Sequence, residues 1–288
     1  MSGPRLARAV QGALSVIALA TAVPVGAQSR ICRPSPGSNE AELLTRYAVP
    51  LTFGTALPSG ALRPGEIAIA LETTWLPTPP SDVRRSGECY LDKAENTTLS
   101  PVLPRPRIAV GLPAGLTAEA SLLPPVTVAD ATPFLAGLAL SYARSMNAST
   151  SVHARLHGTL GYVDGPVTCS RDALQNDPTQ PCFGDTPSSD RYAPNAIGAE
   201  LLATRAFGTN WSAQLGVGAV HARPQFDVNF TNAFGVVDNT RIRFEDTRAS
   251  LTAGVARRVH ERAAIGVVGY VVPGRTSTVR LTGQWTLR

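Results

Sequence analysis

The stretch SVHARLHGTLGYVDG, residues 151–165, alternates with a period of two. Val152, Ala154, Leu156, Leu160 and Tyr162 fall on one side, with Ser151, His153, Arg155, His157 and Thr159 on the other. Successive side chains of an extended strand point to opposite faces, so this stretch reads as a strand with one apolar and one polar face. The stretch VRLTGQWTLR, residues 279–288, repeats the form: Val279, Leu281, Trp285 and Leu287 oppose Arg280, Thr282, Gln284 and Thr286. Seven further segments behave alike: GEIAIALETTWL (65–76), RIAVGL (107–112), LTAEASL (116–122), FLAGLALSY (134–142), AIGAELLATRAF (196–207), WSAQLGVGAV (211–220) and RASLTAGVARRV (248–259). Only AAIGVVGYVV, residues 263–272, is apolar on both faces. The reading is therefore ten strands, nine of them two-faced.

The connections carry a second pattern. Intervals of about 28 residues (77–104), ten (123–132), 30 (166–195) and 20 (221–240) alternate with connections of three to seven residues. Short turns thus gather at one end of the strands and long loops at the other. The mean hydropathy of +0.02 comes with no apolar run beyond the N-terminus long enough for a membrane helix, which excludes a helical membrane protein. It leaves a β-barrel open, because alternating strands hide their hydrophobicity from an average. A soluble sandwich would want large side chains on its apolar faces and charges on its polar ones. Here the apolar faces are rich in Ala, and Lys93 is the only lysine in the chain.

Both patterns resemble bacterial outer-membrane β-barrel proteins as a class, over residues 65–288. The resemblance is architectural, and no motif ties the chain to one family. It implies an all-β, up-and-down antiparallel transmembrane β-barrel of about ten strands (range 8–12), with apolar faces to lipid, polar faces to the lumen, short periplasmic turns and long external loops. Lipid of the outer membrane and the barrel-insertion machinery are the implied partners. Aromatic residues fit girdles at the two interfaces: Trp75, Phe134, Tyr162 and Phe244 at external strand ends, and Tyr142, Phe207, Trp211 and Trp285 at periplasmic ends.

Residues 1–27 read as a signal peptide. Arg5 and Arg8 form the basic region, GALSVIALATAVPV the apolar core, and Val25-Gly26-Ala27 the small residues before cleavage. Residues 28–64 form an irregular N-terminal segment with one short strand at 46–53. The net charge of +5, partly carried by Arg5 and Arg8, is too small and dispersed for a nucleic-acid partner. Four cysteines in an exported chain suggest disulfides. Cys169 and Cys182 would close the polar stretch between them. A bond between Cys32 and Cys89 joins a residue ahead of the first strand to the first external loop, which requires residues 28–64 to thread the lumen as a plug.

Lumen-facing candidates are Glu66, Glu72, Glu119, His153, Arg155, His157, Glu200, Arg243, Arg258 and Arg280. They either pair across the lumen and fill it, or line a narrow polar path. His153 and His157 lie about 13 Å apart along a strand, too far to share a metal ion; no metal and no cofactor is expected. Ser151 and His153 share a face, but neither G-x-S-x-G nor H-x-S occurs, so no catalytic residue is assigned. The leading functional reading is a small passive channel or transport-type barrel for small solutes, whose conductance would fall when Glu119 or Arg155 is replaced. Alternatives are a non-conducting structural or adhesive barrel acting through loops 166–195 and 77–104, and a membrane-embedded lipid hydrolase.

Overall fold

In hydrocarbon, strands can satisfy all their backbone groups only by pairing edge to edge around a closed wall. The computed structural model describes residues 30–55, 62–84, 87–89, 102–128 and 130–287. The stretch 1–27, expected to be a signal peptide, residues 90–101 of the first long loop and Arg288 lie outside the described residues. Among these, ten long strands form the wall: β1 (Ile67–Trp75), β2 (Val102–Gly111), β3 (Leu116–Leu123), β4 (Thr132–Ser145), β5 (Thr150–Gly165), β6 (Ala196–Phe207), β7 (Trp211–Ala222), β8 (Asp246–His260), β9 (Ala263–Val272) and β10 (Thr276–Thr286). Each pairs antiparallel with the next, and β10 pairs back onto β1 from Arg280↔Thr74 to Thr286↔Ala68. The fold is the expected closed, ten-stranded antiparallel barrel.

The two faces are inverted relative to a water-soluble protein. Leu138, Leu156, Leu160, Ile197, Leu201, Leu215, Val217 and Leu281 are exposed on the outside, while Glu72, Arg105, Arg107, Arg155, Glu200 and Arg280 are buried inside. A continuous belt of this kind far exceeds the apolar patches that soluble monomers leave in water, and lipid is the solvent that suits it. Trp75, Phe134 and Tyr162 end their strands on the long-loop side; Tyr142, Phe207, Trp211 and Trp285 sit on the short-turn side, where the Trp285 ring stacks on His260. Phe244 departs from this expectation. It lies outside the barrel strands and is buried in the external cap, because β8 begins only at Asp246.

The N-terminal segment is a helix where a short strand at 46–53 was expected. Helix α1 (Asn39–Leu51) starts at Ser38, whose side chain accepts the Ala41 N–H, and Glu40 and Glu42 complement the positive end of its dipole. Arg46 pairs with Glu42 one turn back at 2.6 Å. The helix enters the external mouth of the barrel. Ala48 and Val49 pack against Val220, Tyr270 and Val272, so β9 is apolar on both faces because its inner face meets a helix.

Above the membrane, β5 continues into a small external sheet. Asp190–Ala193 pairs with the outer end of β5, followed by Gln225–Asp227, Arg241–Arg243 and Ile31–Cys32. Both expected disulfides are formed, Cys32 to Cys89 and Cys169 to Cys182. The loop 166–195 is organised by the buried carboxylate of Asp190, which accepts from Thr168 N (2.6 Å), Thr168 Oγ1 (2.8 Å), Ser188 Oγ (2.7 Å) and Asn229 N (3.0 Å).

Candidate functional site

The N-terminal segment enters the lumen from the external side. Residues 31–32 pair in the external sheet, α1 descends, residues 52–55 lie deep inside, and at the periplasmic end Gly65 N donates to Gly111 O. A helix C-terminus leaves its last carbonyls without partners and carries a partial negative charge. Four arginines meet that end. Arg105 Nη2 donates to Leu51 O (2.8 Å), Arg280 Nη2 to Thr52 O (3.0 Å), Arg155 Nη2 to Phe53 O (3.1 Å) and Arg107 Nη2 to Gly54 O (2.6 Å). Thr159 Oγ1 accepts the Phe53 N–H at 2.8 Å, and Thr55 Oγ1 donates to Glu200.

Three carboxylates balance the arginines. Glu72 lies 3.3 Å from Arg107, Glu119 reaches Arg155 (2.6 Å) and Arg107 (3.4 Å), and Glu200 lies 3.6 Å from Arg155. The register places these charges side by side: Glu72 opposite Arg105, and Arg155 opposite Glu200. At the centre sits the Phe53 ring, fully buried, with the Arg107 guanidinium 4.0 Å from its centroid and those of Arg155 and Arg105 at 5.4 and 5.9 Å. Gly137 on β4 makes room for it, since a Cβ there would stand 2.7 Å from ring carbons. Charge and plug together narrow the lumen at this level, leaving a space of about 80 Å³ lined by Thr55, Arg107, Glu119 and Arg155 among others.

Above the ring lies a cavity of about 520 Å³ between α1 and the wall. Its lining is almost wholly apolar: Leu43, Leu44 and Leu51 from the helix, and Leu103, Leu123 and Val163 from the strands. Tyr192 crosses its outer side and donates to Leu44 O at 2.7 Å. Glu40, at the external end of α1, ties a loop to the helix. Burial would push its carboxyl up, but the N–H groups of Cys89, Glu88 and Gly87 donate to it at 2.7–3.0 Å and hold it below the usual carboxylate range.

Below the ring a polar vestibule of about 690 Å³ faces the periplasm, lined among others by Glu66, Arg258, Ser151 and Gln284. His153 Nε2 lies 2.9 Å from Ser151 Oγ, the pair noted in the sequence. Among the described residues no carboxylate hydrogen-bonds its other nitrogen, so the arrangement is a dyad without an orienting acid. His157 is buried against Gly198, far from sharing a ligand set with His153, and no group of residues able to hold a metal ion occurs among the described residues.

Of the lumen candidates, Glu72, Glu119, Arg155, Glu200 and Arg280 join in one cluster, His153 and His157 line the wall near it, and Glu66 and Arg258 sit at the periplasmic mouth. Arg243 is a correction: it belongs to the external sheet, where its Nε donates to Gln225. Arg105 and Arg107 were missed.

A closed antiparallel barrel with an apolar outer belt, two aromatic girdles and a charged, plugged lumen defines an outer-membrane β-barrel. No family model and no curated protein sequence matches the chain. Among solved structures it is similar to Ail, the attachment invasion locus protein of Yersinia pestis (9% identity, TM-score 0.34, covering 77% of this chain and 98% of that one). It is similar to the KdgM porin (11%, 0.33, 77% and 99%) and to the Pseudomonas putida toluene transporter TodX (13%, 0.32, 78% and 71%). At these scores the likenesses carry no inference about ligands.

Proposed function

We propose that this protein is a transport-type barrel of the bacterial outer membrane that takes up small, uncharged, apolar solutes at its external end while its lumen stays closed to ions. The observation that carries the reading is the apolar cavity beneath the external cap, backed by the arginine–glutamate ring. A cavity of about 520 Å³ lies in the size range of small-molecule pockets, about 300–1,000 Å³. Its lining offers an apolar guest burial, and its one charged lining residue, Asp164, is already paired with Arg191 at 2.7 Å, so an ion would face a desolvation cost with little compensation. The ring explains why water and ions would not follow: four arginines and three carboxylates are spent on each other and on the carbonyls of residues 51–54.

The test uses the full barrel in nanodiscs and a neutral aromatic fluorophore, N-phenyl-1-naphthylamine. Saturable enhancement is expected. Leu123→Trp, which fills the cavity, should weaken binding at least tenfold, while Leu138→Trp on the lipid face should leave it unchanged. Equal binding by the two variants would place the probe in lipid and refute the reading.

A further inference from the structure

Strand β3 stops short. Among the described residues, β2 pairs with it only from Arg107↔Ser121 to Gly111↔Thr117, so Leu103–Pro106 pairs with β1 on one side and with no strand on the other. On the opposite flank the β3–β4 ladder ends at Leu123↔Leu135, and among the described strands Thr132, Pro133 and Phe134 pair only with β5. The wall therefore has a notch above the outer end of β3. Its chemistry is written in the sequence. The residue that would extend the β2 ladder is Pro106, and the one that would extend β3 is Pro124; neither carries an N–H to donate. Pro104 and Pro133 stand further out on the two flanking strands. Unpaired N–H groups facing hydrocarbon are costly, and proline is the residue that removes them.

The notch lies at a definite depth. Trp75 pairs with Val102, and the Phe134 ring lies 5.7 Å from that of Tyr162, which marks the external girdle. Pro104 and Pro106 sit two and four residues inward of that level, about 7 and 13 Å along the strand, within the outer leaflet. All four prolines line the apolar cavity, together with Leu103 and Leu123. Val126 and Val128, both more than half exposed, hang beside the mouth.

We propose that the cavity opens sideways through this proline-bounded notch, so that a small uncharged apolar molecule passes between the cavity and the outer leaflet without crossing the lumen. The inference rests on the cavity being a binding site. It gives the barrel a route that the ring does not block.

The experiment places the wild-type barrel in nanodiscs made with either ordinary or acyl-chain-brominated phosphatidylcholine and follows bound N-phenyl-1-naphthylamine. Bromine quenches by contact, so a cavity open to lipid should lose at least half of the bound-probe fluorescence in the brominated discs. The variant Pro106→Val/Pro124→Val regains two N–H donors and should extend both ladders, keeping the probe affinity within about twofold while the quenching falls several-fold; Pro106→Val alone serves if the double variant does not insert. Saturable binding without quenching in the wild type, or equal quenching in the inserted variant, would overturn the lateral route and leave the proposed cavity function standing. Absence of saturable binding would remove both.

Discussion

Arg155→Met tests how the plug is held. The Arg155 side chain is buried, pairs with Glu119 at 2.6 Å and Glu200 at 3.6 Å, and donates to Phe53 O at 3.1 Å. Methionine keeps the length and removes the charge. Breaking a buried ion pair by deleting one partner costs about 3–5 kcal/mol. Two carboxylates keep other partners: Glu119 retains Arg107, and Glu200 retains Thr55 and Thr252. The low end, about 3 kcal/mol, therefore applies. At about 1.4 kcal/mol per tenfold, docking of residues 51–55 weakens roughly a hundredfold. The assay is planar-bilayer recording at matched protein amounts, with heat-modifiable migration on a gel to confirm a folded barrel. Wild type should be silent, and the variant should show openings whose total duration exceeds the wild-type background roughly a hundredfold. This reverses the loss of conductance that the sequence alone led one to expect. A folded variant as silent as wild type, or a wild type that conducts steadily, would refute the plug as the seal.

Two further perturbations act on the external anchorage. Glu40 has a carboxyl held below its ordinary value of 4.5, so the stability it contributes is fully present above that pH and is lost as the pH falls through the lower folded value. Glu40→Gln should therefore loosen residues 87–89 by about 1.5 kcal/mol at pH 7, read as faster limited proteolysis of the loop, with the gap to wild type closing as the pH falls below the ordinary value of 4.5 and through the lower folded one; a gap independent of pH would contradict this. Replacing Cys32 and Cys89 by Ser opens a loop with a sequence separation of 57, worth about 4 kcal/mol in the chain-entropy model. The N-terminal segment should then become protease-sensitive while the barrel stays heat-modifiable; an unchanged digestion pattern would show that the ring alone holds the plug.

The wall was legible because a membrane barrel must be two-faced on nearly every strand. The periodicity of 196–207 and 263–272 gives the observed strand limits to the residue. Arg155, Glu200 and Arg280 followed from the same alternation. Arg105 was obscured by Pro104 and Pro106, since prolines are rare in paired strands and here they border a notch; Arg107 opens the segment 107–112 on its polar face and was passed over as a strand end. The helix was hidden by Tyr47-Ala48-Val49-Pro50, which looks extended. Its signals were Ser38 followed by Glu40 and Glu42, with Ala41, Leu44, Ala48 and Leu51 at helical spacing. The doubly apolar segment 263–272 was the other trace of it, since an inner face made of Val268, Tyr270 and Val272 needs an apolar partner within the lumen. Arg243 and Phe244 were misplaced because their strand was extended back past Asp246 into the cap.

The central claim is that an apolar guest sits above the ring. Crystals of the barrel grown with 4-bromotoluene, with anomalous scattering recorded at the bromine edge, locate that guest directly. The account expects a bromine peak in the cavity bounded by Leu44, Leu123, Val163 and Tyr192, with none below Phe53. A peak confined to the periplasmic vestibule among Ser151, Arg258 and Gln284 would contradict it.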